Sequence, residues 1–291
     1  MRCCRVLVSL VLLTILVACA PDSTSVQPVS SATGPLSEAE LDRLYDAEQL
    51  LVRDCIEQKG FEYWPSARRP IPELRDFPYG VDDVDWARRY GYGIGLEAKF
   101  RTMDDEHPNQ KYFRSLTSER RQQFVAVVNG PAPVGLEARD IDGNRVTHSD
   151  KGCSAEAQRK LYGDLPGWYR ATKLTNGLPR ARAFRILSDQ SFKPLVTTWS
   201  SCMKKAGFDF VAPVESARLM STRTGVPAAE EIRTAVAEAE CLQTSGLAAA
   251  TKTADRRIDA EQQRQYRSEL DTQRRLQRAA LPAADDIVTR G

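Results

Sequence analysis

The stretch CIEQKGFEYWP, from Cys55 to Pro65, returns as CMKKAGFDFVAP from Cys202 to Pro213. Each copy runs cysteine, an apolar residue, three mostly polar positions, Gly-Phe, an acid, an aromatic and, shortly after, a proline. Glycine at the end of an apolar helical stripe is the residue that adopts a left-handed C′ conformation at low cost, and an apolar residue after it folds back on the last turn. The repeat therefore predicts two helix C-termini of one design, each carrying a cysteine on its inward face.

The N-terminus bears on the compartment. Arg2 and Arg5 precede the apolar run VLVSLVLLTILVA (Val6 to Ala18), which is shorter than the roughly 20 residues a spanning helix needs and has the length of a signal peptide core. The run ends in Leu16-Val17-Ala18-Cys19, which resembles the bacterial lipobox. That resemblance implies cleavage before Cys19 and a diacylglyceryl group on its thiol, with palmitate-type acyl chains holding the mature chain to the cell membrane on its extracytoplasmic face. Removing the signal takes two arginines and no acids, so 41 basic and 39 acidic residues become equal in number. A neutral chain has no electrostatic case for nucleic acid.

Four cysteines remain: Cys55, Cys153, Cys202 and Cys241. An even number in an oxidising compartment reads as two disulfides, and spacing leaves three pairings open. Cys55–Cys153 with Cys202–Cys241 is favoured because it gives each copy of the repeat its own downstream partner. A zinc site would show paired C-x-x-C knuckles, which are missing.

Helix signals follow along the chain. Ser37 and Glu40 form a capping box before a stripe of Leu41, Leu44, Tyr45, Leu51, Val52 and Cys55. Leu195, Val196, Trp199, Cys202 and Met203 make the second stripe, with Pro194 in its first turn. Thr117 and Ser154 read as N-caps, and Pro166, Pro179 and Pro227 as helix openers. From Pro227 a helix carries Ile232, Ala235, Val236, Ala239 and Leu242, and Gly246 either interrupts it or lies within it. The pattern resumes through Ile258, Tyr266, Leu270 and Leu276 and is expected to stop at Leu281-Pro282. LEARDIDGNRVTHS alternates around Asp142-Gly143, a two-residue hairpin turn. The expected fold is mainly α: a helical bundle with a long C-terminal helical arm, one small β-hairpin and two disulfides. Its expected parts are a signal peptide (1–18), a lipidated Cys19 with a flexible tether (19–36), a stapled helical domain (37–250), and a charged C-terminal helix and tail (251–291).

The lipobox, C-x₄-G-F, G-C-S-x-x-A at Gly152 to Ala157, W-x-x-C-M-x-x-x-G-F at Trp199 to Phe208 and a late Cys241 before a glutamine-containing helix together resemble a loosely defined group of secreted actinobacterial lipoproteins. The resemblance spans most of the mature chain. It implies a scaffold and no activity, and no catalytic residue carries over.

Candidate chemistry is sparse. YGYGIG (Tyr90 to Gly95) lacks the strand and the Gly-Lys-Ser/Thr of a phosphate loop. Acid clusters at Asp82, Asp83 and Asp85 and at Asp104, Asp105 and Glu106 have the composition of charged loops. With His107 and His148 as the two histidines, a histidine metal cluster is excluded, and no cofactor or metal is expected. Two surfaces stand out. Phe61 to Tyr92 gathers eight aromatics among several arginines, and Tyr63, Trp64, Trp86, Arg88, Tyr90 and Tyr92 are candidate ligand-binding residues that stack on a cell-wall saccharide or anchor a peptide. The helix at 255–281 is long and polar, a candidate docking surface for an envelope partner. The expected function is non-catalytic binding or scaffolding in the cell envelope; the alternative is capture of a wall saccharide or peptide by the aromatic segment.

Overall fold

Ser37 begins the first helix as its sequence predicts. In the computed structural model, which describes residues 34–222 and 228–291, Ser37 Oγ accepts from the Glu40 backbone N–H at 3.3 Å, and Glu40 Oε2 accepts from the Ser37 N–H at 2.7 Å. The signal segment, Cys19, most of the tether and Pro227 lie outside the described residues.

The helix so capped is α1 (Glu38–Gln58). It is followed by α2 (Val84–Tyr90), α3 (Ile94–Asp105), α4 (Pro108–Ser115) and α5 (Ser118–Asn129). A hairpin of β1 (Gly135–Arg139) and β2 (Arg145–Ser149) then leads to α6 (Cys153–Tyr162), α7 (Leu165–Thr175) and α8 (Leu178–Leu187). A 3₁₀ turn at Gln190–Phe192 precedes α9 (Lys193–Lys205), α10 (Pro213–Thr222), α11 (Ala228–Thr244), α12 (Leu247–Gln265) and α13 (Arg267–Arg290). The mainly helical class, the small hairpin and both disulfides are as read from the sequence.

The repeated stretch makes the same structure twice. At the end of α1, the Phe61 N–H donates to Ile56 O at 3.2 Å and the Gly60 N–H to Glu57 O at 3.0 Å, with Gly60 at φ +79°. At the end of α9, the Phe208 N–H donates to Met203 O at 2.9 Å and the Gly207 N–H to Lys204 O at 3.1 Å, with Gly207 at φ +92°. Both are Schellman motifs, in which the residue after each cysteine supplies the carbonyl and the apolar contact for the phenylalanine. A methyl group on either glycine would meet nothing within 4 Å, so substitution there costs backbone strain alone. Gly60→Ala and Gly207→Ala are each expected to lower stability by about 1–2 kcal/mol, read as a shift in the urea midpoint. An unchanged midpoint would show that the left-handed turn is dispensable.

The staples join Cys55 to Cys153 and Cys202 to Cys241, with Cα–Cα distances of 5.5 and 5.6 Å. Each sits at the edge of a separate core. Leu44, Ala47, Leu51, Val52 and Ile56 of α1 pack with Leu161 of α6 and with Leu276, Ala280 and Ala284 of α13. Trp199 and Met203 of α9 pack with Cys241 and Leu242 of α11 and Leu247 of α12.

Four local expectations change. Helix α6 starts at Cys153 with Gly152 as its cap, so Ser154 is already inside the first turn. The reason is close approach: a Cβ on Gly152 would lie 2.3 Å from Gly130 N. The hairpin loop has three residues, Ile141, Asp142 and Gly143, between the Asp140 N–H and Asn144 O that close it at 3.0 Å. Gly143 takes φ +84°, as the last residue of such loops requires. The chain breaks at Gly246, the left-handed cap of α12, and again at Tyr266, and it runs on through Pro282. An interior proline costs a helix about 3 kcal/mol. Here Leu276, Ala280 and Ala284 continue one buried face across it, and the packing outweighs the lost bond. The break at Tyr266 lets the chain leave α8, which α12 lines, for α1 and α7, which α13 covers. The C-terminal helical segment thus lies folded back on its own chain, and Pro35–Gly291 makes one unit.

Candidate ligand-binding cleft

Helical spacing brings polar side chains to one place from four helices. On α1, Leu41, Leu44, Tyr45 and Glu48 share a face at intervals of three and four residues. Ser154, Gln158 and Tyr162 do the same on α6, as do Trp168, Tyr169, Thr172, Lys173 and Asn176 on α7, and Gln273 and Gln277 on α13. Together with Leu136 and His148 of the hairpin and Arg68, they line a cleft of about 370 Å³. That volume lies within the range of small-molecule sites.

Some of its groups are spent on each other. Glu48 accepts from Gln158 Nε2 at 3.0 Å and from the Tyr162 hydroxyl at 3.3 Å. Burial raises the Glu48 carboxyl above its usual range against the pull of those bonds, and raises the Tyr162 phenol too. Tyr162 stacks on Trp168 with centroids 3.7 Å apart. Arg68 is held by Glu38 and Asp42.

Others have no partner among the described residues. Trp168 and Tyr169 are 8% and 6% exposed, yet neither the indole N–H nor the phenol hydroxyl bonds to the protein, and both atoms remain reachable by solvent. Buried Trp and Tyr ordinarily satisfy these groups, as Trp86 does by donating to Glu73 O at 3.0 Å. The side chains of Gln273, Gln277 and Ser154 also form no hydrogen bond among the described residues. The Lys173 ammonium lies 5.3 Å from the Tyr169 ring centre and pairs with no acid.

The residues singled out in the aromatic segment are placed elsewhere and apart. Tyr63 donates its hydroxyl to Gln49 at 2.7 Å beside the first core. Trp64 has its backbone clasped by the Asn109 amide at 2.8 and 2.9 Å, and its ring meets Tyr112 edge-on. Trp86, Tyr90 and Tyr92 belong to another cluster, against α11, and Arg88 pairs with Asp85 at 2.8 Å. Of the arginines in that segment, Arg68 alone reaches the cleft.

Five of the six clustered acids, all but Asp104, are engaged as well. Asp83 caps α2 through the Trp86 N–H, and that bond and Arg75 hold its carboxyl below the usual range. Asp82 pairs with Lys252, Asp105 with Arg114 and Glu106 with Lys111. Among the described residues no group of three or more His, Cys, Asp and Glu could hold a metal ion, and no helix is long and apolar enough to cross a membrane. The glycine turn between α2 and α3 is gripped by Glu231, whose Oε1 accepts from the Tyr92 and Ile94 N–H groups at 2.8 and 3.3 Å. Those are the donors a phosphate would need.

One buried acid escaped sequence reasoning. Glu238 of α11 is 0% exposed. It accepts from the Val81 N–H at 2.9 Å and the Tyr92 hydroxyl at 2.6 Å, and it bonds Ser216. Burial pushes its carboxyl up to about 7 despite those bonds. The cleft escaped too, because its polar residues sit singly within stripes that read as ordinary helix surface. Glu48 and Gln158, each one helical step from buried apolar residues, are the signals that were there to find. No protein-family model, no curated protein and no solved structure matches the chain.

Proposed function

We propose that the protein is a non-catalytic binding protein of the cell envelope, tethered through lipid on Cys19, and that the cleft between α1, α6, α7 and α13 receives its ligand. The observation that carries this reading is the pair Trp168 and Tyr169: two rings more than nine-tenths buried whose polar tips find no partner among the described residues. A site built to meet a ligand leaves such groups open, since a bound molecule then completes them. The ion-paired acid clusters favour binding over acid–base chemistry. An envelope partner on 255–281 would meet the outward polar side of α12 and α13, because their apolar residues face α8, α1 and α7.

Tryptophan fluorescence tests the site. Soluble peptidoglycan fragments are expected to change the emission of the folded protein, and Trp168→Phe to remove most of that change. Trp64→Ala, which alters a tryptophan that does not line the cleft, should leave binding intact. Loss of binding in Trp64→Ala with retention in Trp168→Phe would move the site to the aromatic segment and sink the assignment to the cleft.

A further inference from the structure

Charge and hydrogen-bonding character narrow the ligand further. Of the lysine and arginine side chains lining the cleft, Arg68 is paired with Glu38 and Asp42. Lys173 is exposed, lies 5.3 Å over Tyr169, and has no acidic partner among the described residues. The one acid in the lining, Glu48, is covered by Gln158 and Tyr162. The cleft therefore offers one unneutralised positive charge. Around it stand Gln273 and Gln277, whose amides both donate and accept, and the open Trp168 N–H and Tyr169 hydroxyl. Hydroxyl groups of a ligand both donate and accept in the same way.

We infer that the cleft binds a saccharide carrying a carboxylate, with Lys173 as the residue that reads the acid. This rests on the binding role proposed above. A charge-assisted hydrogen bond is roughly twice as strong as a neutral one, so the acid should favour binding by about tenfold, or about 1.4 kcal/mol.

The test is calorimetric titration of the full mature chain, at low ionic strength and pH 7, with two matched pairs: glucuronic acid against glucose, and N-acetylmuramic acid against N-acetylglucosamine. The acidic member of at least one pair is expected to bind about tenfold more tightly. Lys173→Ala should erase that preference, and Lys173→Arg should keep it. Which pair responds tells whether the acid sits on the ring or on a side arm. Equal affinities within both pairs would overturn the acid assignment and leave the binding role standing. So would an acid preference that survives in Lys173→Ala. Binding of peptidoglycan fragments with silence from all four sugars would overturn the saccharide assignment and point to the peptide portion. Silence from sugars and fragments alike would overturn both readings.

Discussion

The midpoint of thermal unfolding is expected to fall by about 10–20 °C when Cys55 and Cys153 are both replaced by serine, or when that bond is reduced. The bond closes a loop with a sequence separation of 98 residues. In the chain-entropy description, a loop of that size restricts the unfolded ensemble by about 4.7 kcal/mol. The second bond spans 39 residues and contributes about 4 kcal/mol on the same basis. Natural domains hold about 5–15 kcal/mol in total, so the two staples are comparable with the whole margin. Circular dichroism melts of the wild type, each double-serine variant and the fully reduced protein measure this. A Cys55→Ser/Cys153→Ser protein melting within a few degrees of wild type would show that the cores of α1, α6 and α13 hold without the bond. The fully reduced protein should lose most of its cooperative transition.

The second large effect concerns Glu238. Its carboxyl, ordinarily near 4.5, is raised to about 7 by burial. The folded state therefore holds a proton that the unfolded chain releases between those values. Stability from this residue is complete below about 4.5, declines as pH rises through 7, and is level above that, a loss of about 3 kcal/mol. The geometry agrees with a neutral acid. Ser216 Oγ lies 2.7 Å from Pro213 O, which can only accept, and it also bonds Glu238. One serine proton cannot serve both, and a protonated Glu238 donating to Ser216 completes the set. Glu238→Gln mimics that neutral form. It is expected to unfold at higher urea than wild type at pH 8, by about 3 kcal/mol, and to lose the advantage at pH 4.5. Chemical denaturation across this range decides the matter. A constant difference between the two proteins at every pH would mean that Glu238 does not titrate there.

Features fixed by a few neighbouring residues were legible in the sequence. Ser37 with Glu40, Gly60 with Phe61 and Gly207 with Phe208 each complete their hydrogen bonds within six positions, so the string of residues contains the whole motif. The disulfide pairing that the repeat favoured among three is the one present. What was not legible depends on distant chain. Helix α6 starts at Cys153 because Gly130 presses on Gly152, and the polar helix breaks at Tyr266 because its two halves have different neighbours. Pro282 is tolerated because it lies on the exposed side of α13 while Ala280 and Ala284 on either side of it pack into the core with α1. The cleft is the extreme case, since Glu48, Lys173 and Gln273 come from helices far apart in sequence, and each is unremarkable in its own turn.

The packing of α13 on α1 also sets an order of events. A ribosome makes α1 first among these helices and α13 last, yet the first core lacks a wall until Leu276, Ala280 and Ala284 arrive. Arg43 waits for Asp285, and the terminal Gly291 comes to rest beside Leu50. Contacts so remote along the chain are slow to form, and surface awaiting them stays exposed meanwhile. The nascent protein must therefore be kept from sticking to its neighbours until α13 has been made. The cleft, two of whose amides ride on α13, comes into being only once that helix has been made and packed.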